Sequence, residues 1–195
     1  MPARRPRAPQ GPSRAELLAA ADRVLEPVVA PGLRVVFCGI NPGLYTAWAG
    51  HHFARPGNRF WPALHRSGFT PRQLAPAEQD ELLALGLGIT NVVARATATA
   101  AELGRDELRA GGPDLVAFVG RWRPAYLAVL GVTAYRTAFD APGAAVGPQP
   151  GLGGTRVWVL PNPSGLNAHW TPTALAEVFA ELRAEVERRT GPPPA

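Results

Sequence analysis

A three-layer α/β/α sandwich around a short, mainly parallel sheet is the fold this sequence predicts, and three observations carry it. Four short apolar runs, at 33–38, 88–93, 125–130 and 156–160, are bounded by turn residues, as strands buried on both faces are. Between them lie stretches with apolar residues at helical spacing, and strand–helix alternation implies a parallel sheet covered on both sides. At 195 residues and 46% hydrophobic, the chain can bury one core and is short for two domains.

Residues 1–12 set Arg4, Arg5 and Arg7 among Pro and Ala, which predicts a disordered basic arm ahead of a single domain over 13–190. The Pro-rich tail at 191–195 is expected to be disordered too. Ser13-Arg14-Ala15-Glu16 is a capping-box pattern that opens an apolar-periodic stretch, predicting a helix to about Glu26, where Pro27 and Pro31-Gly32 stop it. The strand at 33–38 leads into a long loop over 40–59, and loops of that length in compact domains usually carry function. Helices are predicted at 58–67, from Thr70-Pro71, over 76–85, and over 102–122 with a break at Gly111-Gly112-Pro113. Another follows the third strand at 131–139, and a Pro/Gly-rich excursion covers 141–154. The last helix opens at Thr171-Pro172 with Leu175, Phe179, Leu182 and Val186 on one face.

The formal charge of +5 comes from 20 arginines against 15 carboxylates, with no lysine. Arg binds phosphate in a planar fork and stays charged, which suits a polyanionic partner, although genome base composition alone also produces such usage. One cysteine, Cys38, in an apolar strand excludes an intrachain disulfide, a Cys₄ zinc site or an iron–sulfur cluster. His51-His52 lacks helical ligand spacing and has no nearby carboxylate, so no metal is expected. No apolar run approaches the roughly 18 residues of a membrane span, and the expected compartment is the cytoplasm.

Two strand-then-loop units hold the chemistry: Gly39-Ile40-Asn41-Pro42-Gly43 and Asn162-Pro163-Ser164-Gly165-Leu166-Asn167. Loops leaving the carboxyl ends of parallel strands converge on one crevice. Taken alone, Asn41 reads better as a turn-capping residue, and Leu166 also reads as a buried residue after a tight turn. The first loop lacks the Gly-rich phosphate fingerprint, which argues against a nucleotide cradle.

With the stretch His52-Phe53-Ala54-Arg55-Pro56-Gly57-Asn58-Arg59-Phe60-Trp61, these loops resemble the mismatch-specific uracil/thymine-DNA glycosylase family of the uracil-DNA glycosylase superfamily, over roughly residues 30–185. The resemblance implies that family's fold and a monofunctional DNA glycosylase of base excision repair, acting as a monomer without metal or cofactor. Its substrate would be uracil, or a related damaged or mismatched pyrimidine, for example one opposite G, flipped out of double-stranded DNA. By resemblance, Asn41 positions the attacking water, Phe53 stacks on the base, and backbone around Ile40, Gly43 and Phe53 reads its edge. Tyr45 and Thr46 line the pocket near the 5-position, with Asn58 beside them. Ser164, Gly165, Leu166 and Asn167 touch DNA, Leu166 filling the gap in the stack.

The sequence departs from the family at two places. A basic residue is expected at 168, where this chain has Ala168 followed by His169; an acidic catalytic residue is expected at the position of Ala94. The second departure keeps open a lesion-binding protein with little or no catalysis, beside a single-strand-selective relative. The absence of lysine removes the usual side chain for a Schiff base, hence monofunctional chemistry.

Overall fold

The computed structural model describes residues 11–21 and 23–191. Most of the expected basic arm, and the tail after Gly191, lie outside the described residues. The elements run α1 (Arg14–Leu18), β1 (Val35–Gly39), α2 (Leu44–Ala49), α3 (Phe60–Arg66), α4 (Glu81–Ala84), β2 (Leu87–Asn91), α5 (Arg105–Trp122), β3 (Tyr126–Leu130), α6 (Val132–Ala138), β4 (Gly147–Leu152), β5 (Thr155–Leu160) and α7 (Pro172–Thr190). They build a sheet of order β2-β1-β3-β5-β4, parallel except for the edge strand β4.

The strands alternate sides, so each helical layer meets every second residue. Val35, Phe37, Ile89, Tyr126 and Ala128 pack with Phe60, Leu64, Leu175, Phe179 and Leu182 of α3 and α7. Val36, Cys38, Leu127, Val129, Val157 and Val159 pack on the other side with Leu115, Val119, Tyr135 and Ala138 of α5 and α6. Burying on the order of 2 kcal/mol per large apolar side chain on both faces fixes the register, because a one-residue slip would turn both layers inside out. Cys38 is fully buried and burial raises its thiol pKa, leaving it an inert core residue.

Several elements differ from expectation. α1 ends at Leu18, short of Glu26; it buries none of its own side chains, and the irregular segment after it packs Ala20 and Leu25 against Ala47 and Ala96. The predicted loop 40–59 contains α2, and no helix forms at Thr70-Pro71. The segment 76–85 divides into a 3₁₀ turn (Pro76–Glu78) and α4. α5 passes through Gly111-Gly112-Pro113 unbroken. The excursion 141–154 contributes β4 at the sheet edge, where proline is tolerated.

The carboxyl ends of β1, β2, β3 and β5 share one edge. β3 turns at once into α6, so its end stays uncovered and the loops after β1 and β5 meet above it.

Candidate active site

A crevice of about 240 Å³ opens at this edge, lined by Gly39 to Gly43, His52, Phe53, Asn91, Thr97 to Ala100, Leu130 and Asn162 to Ser164, with Leu166 at its rim. The two loops touch: a Cβ on Gly165 would stand 2.4 Å from the Gly57 carbonyl oxygen, so only glycine permits this approach.

Of the four asparagines that line the crevice, Asn58 and Asn162 give their Oδ1 to backbone N–H groups, and for Asn41 and Asn91 the neighbours fix which end each presents. Asn41 donates both Nδ2 protons, to the Arg95 carbonyl (2.9 Å) and to Thr97 Oγ1 (2.7 Å). Thr97 gives its own proton to the Thr99 carbonyl at 2.8 Å, so its oxygen must accept from Asn41. The Asn41 Oδ1 is thereby left as an acceptor. Arg95 is tethered in turn to Glu107 on α5 at 2.8 Å, and that pairing, with the Gly104 N–H, draws the Glu107 carboxyl down to about 2.

Asn91, at the end of β2, is set by His52. The His52 Nε2 lies 3.0 Å from the Glu26 carbonyl, which can only accept, so Nε2 carries the proton and Nδ1 is an acceptor. The Asn91 Nδ2 approaches that Nδ1 at 3.5 Å, which turns Oδ1 toward Gly39, 2.6 Å from where a Cβ would stand. Burial lowers the His52 pKa, as does His51, with the bond to Glu26 opposing, so the ring is neutral. Glu26 reaches it because the following residue pair, Pro27-Val28, runs along β2, where Val28 and Ile89 exchange backbone bonds of 2.9 and 2.8 Å.

Phe53 adopts a left-handed backbone (φ 54°), uncommon for a bulky residue. It is held there because the preceding His52 is pinned at both backbone groups, N–H to Gln79 Oε1 (2.8 Å) and C=O from Trp61 Nε1 (3.2 Å). Its ring stacks on Phe60 with centroids 4.1 Å apart and also borders the crevice.

The second loop is organised by Asn162, whose Oδ1 accepts from the Ser164 N–H (2.9 Å), and by Arg59. The Arg59 guanidinium binds three carbonyls, those of Ser164 (2.6 Å), Asn167 (2.7 Å) and Trp170, while its backbone N–H binds Pro163. Leu166 is left at the tip, 70% exposed.

A family model described as the Uracil DNA glycosylase superfamily matches residues 26–183. The chain belongs to that superfamily. A solution NMR structure of a candidate uracil DNA glycosylase from Methanosarcina acetivorans shares the fold, with a TM-score of 0.57 at 19% identity over 83% of this chain and 98% of that one. DNA glycosylase chemistry, hydrolysis of a base–sugar bond, is therefore the frame for the crevice.

Within that frame, Ile40, Asn41, Gly43, Thr46, Phe53, Asn58, Ser164 and Leu166 all line the crevice. The Asn58 Oδ1 is committed to the Phe60 N–H at 2.9 Å. Gly165 lies just outside against Gly57, and the Asn167 Nδ2 closes the loop onto the Asn162 carbonyl at 3.0 Å. Tyr45 does not line the crevice; it packs against Trp48 with ring centroids 5.4 Å apart. Ala94 is exposed and also off the lining, which passes instead through Asn91 and then Thr97 to Ala100. The sequence motifs alone give no role to Asn91, His52, Thr97 or Arg59. An Asn closing a buried strand was the available signal for the first of them. Among the described residues no carboxylate lines the crevice, no group of three His, Cys, Asp or Glu side chains converges anywhere, and no helix is long and apolar enough to cross a membrane.

Proposed function

We propose that the chain is a monofunctional DNA glycosylase that removes uracil, or a mismatched pyrimidine with the same N3–H and C4=O edge, from double-stranded DNA, uracil opposite G included. The observation that carries this reading is the polarity of the two amides. Asn91 offers Oδ1 to an N3–H and its second Nδ2 proton to O4, the pattern of uracil and thymine; cytosine presents the reverse. Negative charge grows on O4 as the base departs, so that N–H contact strengthens toward the transition state. Asn41 offers Oδ1 to a water proton and turns the water oxygen toward C1′. An amide cannot take the proton at neutral pH, so its contribution is orientation. Phe53 gives the flipped base a stacking surface, and Leu166 fills its place in the duplex, offsetting a few kcal/mol of unstacking.

With no carboxylate at the crevice, slow turnover is expected, and the same observation favours one second reading, a lesion-binding protein without base release. A single-turnover assay on a labelled duplex with one G·U pair, followed by alkali, separates the two. Alkali-dependent cleavage that Asn41→Ala suppresses, and that a G·C duplex does not show, supports the glycosylase. Tight mismatch binding with no base release supports the lesion binder. Trapping of a covalent adduct by borohydride would overturn the monofunctional assignment.

A further inference from the structure

We propose a second DNA contact, resting on the glycosylase reading: a basic notch between α5 and α6 that holds a backbone phosphate of the same duplex. The notch, about 310 Å³, is lined by Arg105, Arg109, Thr133, Arg136, Thr137, Asp140 and Pro142. Helical spacing builds it. Arg105, Arg109 and Gly112 lie on one face of α5, at i, i+4 and i+7. Gly112 is where that face meets α6, since a Cβ there would stand 2.2 Å from the Ala138 carbonyl oxygen. Above this crossing the helices part, Arg105 and Arg109 facing Thr133, Arg136 and Thr137.

The charges are available to a ligand. Three guanidinium groups face one carboxylate, Asp140, leaving a positive excess. Arg109 has a loose pairing with Asp106 at 3.7 Å, and among the described residues neither Arg105 nor Arg136 is within salt-bridge distance of a carboxylate. Arg136 is aimed by its Nε, which donates to the Ala144 carbonyl at 2.8 Å and leaves both terminal nitrogens free for an anion. The Thr137 hydroxyl is committed to the Thr133 carbonyl at 3.1 Å, and guanidinium forks with the Thr133 hydroxyl suit a phosphodiester oxygen.

The position selects DNA as the source of that phosphate. α5 and α6 both start at the crevice edge of the sheet, and Glu107 in the first turn of α5 is tied to Arg95, whose carbonyl holds Asn41. Thr133 follows Leu130 of the crevice wall by three residues, a reach of at most about 11 Å. Phosphates recur along one strand about every 3.4 Å of axis, so the notch meets a phosphate roughly two to four nucleotides from the flipped one.

The test is the salt dependence of binding to an uncleavable abasic duplex of about 20 base pairs, beside the excision assay above. Arg105→Gln/Arg136→Gln is expected to flatten the log–log slope by about 0.9, the share of one phosphate, so that its affinity deficit shrinks about three- to fourfold between roughly 50 and 200 mM salt. Arg66→Gln/Arg121→Gln removes the same charge at the far ends of α3 and α5 and is expected to keep the wild-type slope. A neutral methylphosphonate roughly two to four nucleotides from the abasic site should weaken the wild type and not the notch variant. An unchanged slope in the notch variant, or equal flattening in the control, overturns the notch alone. A wild type that neither binds nor excises overturns the glycosylase reading and the notch with it.

Discussion

Arg59 is the residue through which the two loops act as one, and Arg59→Ala tests that directly. Its guanidinium holds three carbonyls of the 162–170 segment, of which that of Ser164 also accepts from the Asn167 N–H at 2.9 Å. Hydrogen bonds to a charged donor are worth about 1.5–3 kcal/mol each, but the loop is half-exposed and water replaces part of what is lost. About 1 kcal/mol per carbonyl, near 3 kcal/mol in all, is the expected loosening. If Leu166 must be presented in place for a base to stay out of the stack, single-turnover excision from duplex falls by up to about 100-fold, at 1.36 kcal/mol per decade. Excision from single-stranded DNA, which needs no wedge, changes by less than about threefold. The backbone bond from Arg59 to Pro163 survives, but the folded state loses the same energy relative to the unfolded chain, so the melting temperature falls by roughly 6–12 °C, at about 2–4 °C per kcal/mol, while the amides of 164–169 exchange faster. Arg59→Lys restores little, since one ammonium cannot span carbonyls that a planar fork reaches. Equal losses on duplex and single strand would refute the reasoning, as would an unchanged duplex rate.

Three further outcomes are expected. Burial holds His52 below its ordinary pKa, so the unfolded chain takes up this proton first; stability from the neutral ring is complete above 6.5 and declines as pH falls below it, a slope that melting curves should show weakened in His52→Gln. Leu166→Ala removes a side chain that is 70% exposed, so the melting temperature stays fixed, while duplex excision drops roughly tenfold or more for the lost burial between base pairs. Ala94→Asp places a carboxylate on an exposed residue off the crevice lining, and its single-turnover rate should stay within about threefold of wild type; a tenfold rise would show that position 94 reaches the reacting sugar.

What was legible in the fold follows from how each element is stabilised. The central strands declare themselves because both faces are buried, leaving β-branched runs between turns. β4 does not, since Pro148 and Gly151 weaken any strand pattern; at the sheet edge it pairs with β5 alone, and the missing N–H of proline costs little there. α2 is too short for periodicity to register. In α5 the Gly111-Gly112-Pro113 sequence reads as a break, yet the glycines are what let the helix lie against the Val92 and Ala138 carbonyls. The proline removes one bond, to the carbonyl of exposed Arg109, which water can satisfy.

The candidate site divides along a different line. Loop residues that meet the crevice by virtue of local turns, Asn41 and Ser164 among them, were visible as motifs. The orientation of their polar atoms was not, because it is set by groups distant in sequence: Asn41 by Arg95 and Thr97, Asn91 by His52, and His52 by the carbonyl of Glu26. Two asparagines on one crevice have the same inventory of donors and acceptors, yet one is left with a bare oxygen and the other with an oxygen and a spare N–H. The first arrangement suits a water, the second a uracil edge. This also bears on the acidic residue that position 94 lacks. With both Nδ2 protons of Asn41 donated, the crevice already holds an acceptor oxygen for the water of the proposed reaction, and a carboxylate displaced from the lining would add no second one. On the proposed reading, excision would then rest on how readily the base leaves as an anion, which would make the Asn91–His52 pair, more than any general base, the determinant of rate.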